Sequence, residues 1–221
     1  MGKRGPKPKR ESVTWSPELA YAVGLLVTDG SLSVDGRHID LTSKDEEQLI
    51  NFMHCIGKKI RISSKRPSPL AEPITRVQFS DVGLYNFLQD IGLTPKKTKT
   101  IGPIKVPEEY LFDFLRGHHD GDGAFYSYYD PRWKNSFMYY LIFLSASKEH
   151  VLWIQNKIEA LLGVKGHITT SRSSCVLQLK YAKKESLLVL RKMYPNKTVV
   201  CLSRKRLKIE RALGIVGQSL F

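Results

Sequence analysis

A chain of 221 residues with 42% hydrophobic and 10% aromatic residues can bury one large core or two small ones, which excludes a disordered polymer or a lone small module. Its 35 Lys and Arg against 21 Asp and Glu leave a formal charge of +14, so the first partners to consider are nucleic acid and an anionic membrane surface. Three scattered cysteines, Cys55, Cys175 and Cys201, form no CxxC pair and suggest neither a disulfide framework nor a zinc ribbon.

Residues 1–15, rich in Lys, Arg, Gly and Pro, lack the apolar stretch and cleavage site of a secretory signal and read as a basic flexible arm. The most apolar run, residues 19–27, is far shorter than the roughly 20 residues that cross a bilayer. The expectation is a soluble, intracellular protein with no membrane partner. Ser16-Pro17-Glu18 is an N-cap with proline at the first helical position, and the apolar helix it opens stops at Gly30. Residues 31–34 and 38–42 alternate around Asp35-Gly36 and predict a hairpin. Apolar Leu49, Phe52, Met53 and Ile56 mark a helix over 45–56. Strands over 59–63 and 74–80 and a helix over 82–91 complete the first unit.

The same order returns from Pro107. A helix over 107–123 again ends in Asp-Gly, aromatic strands over 124–129 and 137–145 follow, and a helix covers 149–162. Leu41-Thr42-Ser43-Lys44 is echoed by Ser145-Ala146-Ser147-Lys148, and Pro95-Lys96-Lys97-Thr98 by Pro195-Asn196-Lys197-Thr198. The second hairpin is longer by 11 residues at its polar tip, where insertions are tolerated. The expected fold is therefore α+β, with two pseudo-symmetric αββαββα halves over 16–99 and 108–221 joined by a linker over 100–107. The basic run 204–211 reads as a surface helix.

Gly24 and Thr28 in the first helix and Gly117 and Gly121 in the second lie four residues apart, so each helix offers a small-residue face along which two backbones can approach. Crossing there would bring Asp29 and Asp122 together. Two carboxylates at the negative ends of helix dipoles repel one another, and a divalent cation resolves the conflict. With the backbone oxygens of Thr28 and Gly121 the donor set is all oxygen, which suits Mg²⁺, or Mn²⁺ or Ca²⁺ in its place. Such a cation beside a phosphodiester would activate water and stabilise the leaving oxygen. Adjacent His118 and His119 lack the i, i+4 spacing of helical metal ligands, and a packing or surface role is expected for His118.

The segments Ala22-Val23-Gly24-Leu25-Leu26-Val27-Thr28-Asp29-Gly30 and Leu115-Arg116-Gly117-His118-His119-Asp120-Gly121-Asp122-Gly123, within a repeat over about 16–212, resemble the LAGLIDADG homing endonuclease family in its single-chain, two-motif form. Val27 departs from the pattern at the family's first aspartate, whereas the metal-bearing last one is kept as Asp29. Asp120 has no partner in the first half. The resemblance implies a monomer in which each half lays a saddle-shaped antiparallel sheet over the DNA major groove. The motif helices form the interface and hold the metals over the minor groove. It also implies Mg²⁺-dependent cleavage of double-stranded DNA at a long, partly palindromic site, leaving 3′ overhangs, by a mobile genetic element of the intron-borne kind. Lys44 and Lys148, and Gln78 and Lys180, match the basic or polar residues that family members carry around the metals.

Strand alternation lets one face meet DNA while the other packs on helices. Candidate contacts are Arg37, Arg61, Lys65, Arg66 and Arg76 in the first half, and Tyr126, Tyr128, Arg132, Lys134, His167, Thr169 and Arg172 in the second. Two other readings use the same scaffold: an RNA-binding maturase with intron RNA as partner, and a DNA-binding regulator without cleavage.

Overall fold

A computed structural model describes residues 13–66, 72–133, 135–170 and 175–221; residues 1–12 of the arm expected over 1–15, Lys134 and Arg172 lie outside the described residues. The first half runs α1 (Pro17–Thr28), β1 (Gly30–Leu32), β2 (His38–Ser43), α2 (Glu46–Cys55), β3 (Ser63–Lys65), β4 (Ile74–Ser80) and α3 (Val82–Asp90). The second runs α4 (Leu111–Gly121), β5 (Ala124–Tyr129), β6 (Phe137–Ser145), α5 (Lys148–Leu162), β7 (His167–Thr170), β8 (Leu177–Ala182) and α6 (Lys183–Met193). A further helix, α7 (Ser203–Ile215), follows. No helix of the described residues is long and apolar enough to cross a membrane.

Local signals explain most of these boundaries. Ser16 caps α1 by accepting from the Leu19 N–H at 3.1 Å, and Pro17 follows it. Asp81 caps α3 through the Leu84 N–H at 2.9 Å. Gly163 ends α5 in the left-handed region at φ 68°, a conformation that costs glycine nothing. Two expectations need adjustment. The strand expected over 59–63 pairs only at Ser63–Lys65, because Ile60 and Ile62 pack against the core while their backbone runs outside the ladder. The basic C-terminal helix is only partly a surface element, since Ile209, Ala212 and Leu213 are buried. Order also starts before Ser16: Val13 and Trp15 pack on the core, with Trp15 edge-on to Phe87 at 5.2 Å.

Each half forms one four-stranded antiparallel sheet, in the orders β1-β2-β4-β3 and β5-β6-β8-β7. Registers coincide between halves. Ser31 faces Asp40 and Asp40 faces Gln78; in the second sheet Ala124 faces Ile142 and Ile142 faces Lys180. Ser31 and Ala124 each lie two residues after a motif aspartate, so Gln78 and Lys180 occupy equivalent places, as their pairing in the sequence anticipated. Ile39, Leu41 and Val77 point to the core from one sheet and Leu141, Phe143 and Leu179 from the other.

The two halves meet along α1 and α4. A Cβ on Gly117 would stand 2.0 Å from the Tyr21 carbonyl oxygen, and one on Gly24 would stand 2.2 Å from that of Phe114. Glycine here removes the only atoms that would hold the helix backbones apart. The segment 100–107 is packed, with Ile101 and Ile104 buried and the Gly102 carbonyl 2.8 Å from His150 Nδ1. The start of α7 ties back to the first half, where Arg204 binds Asp45 at 2.6 Å and Ser203 N–H donates to Glu47 at 3.0 Å.

Candidate functional site

Because α1 and α4 cross in backbone contact, their C-terminal ends abut. A Cβ on Gly121 would lie 1.9 Å from Thr28 Oγ1 and 2.9 Å from Asp29 Oδ2. Asp29 and Asp122 are the residues at these two ends. Gln48 Nε2, from α2, donates to Asp29 Oδ2 at 2.7 Å, and its own Oε1 accepts from the Ser43 hydroxyl at 3.1 Å, so Asp29 is held in place from β2 and α2. Burial, then the Asp122 charge, pushes the Asp29 carboxyl up to about 6 against the pull of Gln48, Lys205 and Lys97. Burial also raises Asp122, opposed by Lys205 and Lys97. Asp122 is exposed to solvent.

Two lysines face the pair, and sequence reasoning missed both. Lys97 is 6% exposed and its ammonium donates to the Gly30 carbonyl at the start of β1. Lys205 reaches in from α7 and donates to the Gly123 carbonyl at 2.8 Å, to that of Gly121 at 3.1 Å and to that of His119. It thereby satisfies the carbonyls left free at the end of α4. Burial draws each ammonium down to about 8, while both carboxylates support the charge. At neutral pH two ammonium groups therefore balance two carboxylates. The Lys-Thr echo paired Lys97 with Lys197, but Lys197 is exposed and the second cation comes from eight residues further on.

Asp120, unpaired in the repeat, is structural. Its Oδ2 accepts from Tyr21 Oη at 2.8 Å and from the Leu202 N–H at 2.7 Å, joining α1, α4 and the approach to α7. His118 packs against Phe143 at 5.9 Å and stacks on His150 at 5.4 Å, the packing role expected of it.

The remaining expected residues scatter over the strands. Lys44, just past β2, and Lys148, opening α5, are exposed. Gln78, Lys180, His167 and Thr169 lie on the outward face of their sheets. Arg76 shares that face and binds Asp40 at 3.1 Å. Lys65 lies on edge strand β3, with Arg61 and Arg66 exposed beside it, and Arg37 sits in the β1–β2 turn. Tyr126 and Tyr128 stack with Tyr140, while Arg132 binds Asp130 at 3.0 Å in the β5–β6 connection.

Among the described residues no three His, Cys, Asp or Glu side chains cluster to hold a metal. Two carboxylates fit a hard cation that keeps part of its water shell, the habit of Mg²⁺, although the Gly121 carbonyl expected to complete the set already accepts from Lys205 at 3.1 Å.

Paired four-stranded sheets joined by crossing, glycine-faced helices that end in aspartate are the two-sheet LAGLIDADG architecture, and solved structures of that architecture match most of this chain. The homing endonuclease I-WcaI bound to its DNA recognition sequence superimposes with a TM-score of 0.60 at 13% identity, over 93% of this chain and 95% of that one. I-DmoI in complex with DNA and Ca gives 0.58 at 14% identity, over 88% and 97%. The N-terminal LAGLIDADG domain of DUF199/WhiA gives 0.54 at 16%, over 90% and 88%. No family model and no curated protein matches the chain.

Proposed function

We propose that this protein is a divalent-metal-dependent, site-specific endonuclease of double-stranded DNA. One observation carries the reading: Asp29 and Asp122 converge at abutting helix ends, with Lys97 and Lys205 beside them. Like charges gathered in one place raise each other's cost, and such clusters with shifted pKa values concentrate at functional sites. The likeness to I-WcaI and I-DmoI, both solved with DNA, supports the substrate class, and the net charge of +14 fits it.

Asp29, Asp122 and the backbone oxygens of Thr28 and Gly121 would hold Mg²⁺. When bound, the cation supplies a Lewis acid for the scissile phosphate and lowers the pKa of its water. The chain's own groups do the rest. Gln48 fixes the Asp29 carboxylate, and the ammonium groups of Lys97 and Lys205 place positive charge where the phosphate gains negative charge in the transition state. The outward faces of the two sheets would bind the duplex on either side, each covering about 10 bp, one helical turn.

A second reading, a DNA-binding regulator without cleavage, has one specific observation in its favour. Lys205 already occupies the Gly121 carbonyl that the metal site would use. In vitro selection from a randomised duplex library in Mg²⁺ separates the two. Cleaved duplexes sharing a long consensus establish the endonuclease; enrichment by binding without cleavage establishes the regulator.

A further inference from the structure

The outward faces of the two sheets differ in kind, although their registers coincide. In the first sheet the β2–β4 part of that face carries His38, Asp40, Thr42, Arg76, Gln78 and Ser80, all hydrogen-bonding side chains, with Ile74 the apolar residue at its end. In the second, the β5–β6 part of the same face carries Ala124, Tyr126, Tyr128, Met138, Tyr140, Ile142 and Leu144, while β8, the counterpart of β4, adds Gln178, Lys180 and Ala182. Position by position, Thr42 corresponds to Leu144, Asp40 to Ile142 and His38 to Tyr140. An antiparallel sheet with one face on the core normally turns polar residues outward, so an aromatic outward face marks a contact surface.

The tyrosines make it stiff. Tyr126 and Tyr140 lie 5.0 Å apart with rings 18° from parallel, and Tyr128 lies 6.1 Å from Tyr126 and 6.3 Å from Tyr140, at 10° and 9°. Lys180 and His167 border this plate on β8 and β7, and Arg132 and Lys183 flank its far end. An aromatic plate bordered by cationic side chains suits a polyanion carrying apolar groups rather than an apolar protein partner. In the major groove of DNA the one apolar group is the C5-methyl of thymine.

We propose that the second sheet reads an A·T-rich half-site through thymine methyl groups, while the first sheet reads its half-site by hydrogen bonds to base edges. This rests on the reading of the protein as a binder of duplex DNA. The two half-sites then differ in composition, and the dyad of the target is imperfect for a physical reason.

The test uses the full chain and a duplex recovered by binding selection, with every dT replaced by dU in one half-site and then in the other. Uracil keeps all hydrogen-bonding groups of thymine and lacks only the methyl. The expected result is a loss of about tenfold in affinity for one half-site and less than about twofold for the other. In a Tyr126→Ala/Tyr140→Ala variant the penalty should disappear. Equal penalties in both half-sites, or none in either, overturn the proposal from the wild-type protein alone. A penalty that persists in a folded double variant overturns the assignment to this face. Failure to recover any duplex overturns the underlying DNA-binding reading, which is a distinct outcome.

Discussion

Asp29 is costly to the fold that holds it. Its carboxyl is pushed up to about 6 by burial and by Asp122, against 3.8 for the free side chain. Between those values the native state holds more protons than the unfolded chain, so stability falls as pH rises through that window, and the full penalty remains above it. In chelator at pH 7, Asp29→Asn should therefore stabilise the protein by about 1–2 kcal/mol, after allowance for partial solvent screening. The gain should vanish near pH 4, and denaturant titrations at the two pH values check it. An equal effect at both pH values would show that burial and Asp122 do not raise the Asp29 carboxyl. Lys205→Met should slow cleavage by at least about tenfold while leaving duplex affinity within a fewfold, as removal of a group that stabilises transition-state charge does. Single-turnover cleavage and a binding titration check the two parts.

Residues that face each other through local repetition were legible in the sequence, and those that arrive from afar were not. The pairing of Asp29 with Asp122 follows from two copies of one helix pattern, and Gln78 with Lys180 from equivalent strand positions. Lys97 and Lys205 break that logic, because the second half supplies its cation from α7, an element without a counterpart in the first half. Lys205 also sits in a run of exposed cations, Arg204 and Lys208 among them, where composition alone reads surface. Only the unfilled carbonyls at the end of α4 distinguish it.

At the scale of elements, the crossing of α1 on α4 decides the geometry of the site. Gly117→Ala would drive a Cβ to 2.0 Å from the Tyr21 carbonyl, backbone against backbone, so the helices must separate. The expected cost is about 3 kcal/mol or more, with cleavage lost ahead of folding because the carboxylates move apart. Gly214→Ala in α7 is the matched control. Its Cβ meets nothing within 4 Å, so the change should stabilise by about 0.5–1 kcal/mol through helix propensity. Equal effects of the two substitutions in a thermal melt would show that close helix contact does not govern stability here. The sequence anticipated this crossing from the spacing of small residues, whereas it misplaced β3. Ile60 and Ile62, within the expected strand, pack on the core instead of pairing, and a hydrophobic period cannot tell the two apart.

The molecule as a whole is held by a core that joins both halves, and three buried histidines lie within it. His118, His119 and His150 are each essentially buried, and ring nitrogens on all three lack partners. Burial lowers all three pKa values, that of His150 to about 4. The unfolded chain binds protons near 6.5 and the folded one does not, so stability is intact above that value and declines as pH falls toward 4. His150 alone accounts for a loss on the order of 3 kcal/mol. Urea unfolding at pH 7 and pH 4.5 should show the decline, and His150→Gln, which can still donate to the Gly102 carbonyl, should reduce it. An unchanged acid limb in that variant would assign acid sensitivity to other groups.

Metal-dependent strand cleavage by the aspartate pair is what separates an endonuclease from a DNA-binding regulator on this scaffold. The most direct measurement compares the wild-type protein with Asp29→Asn and Asp122→Asn on a selected duplex across a Mg²⁺ titration, following binding and cleavage together. The wild type should cut both strands only with added metal, while each variant binds within a fewfold of wild type and fails to cut. Full cleavage by either variant, or equal cleavage in chelator, would contradict the assignment of the site.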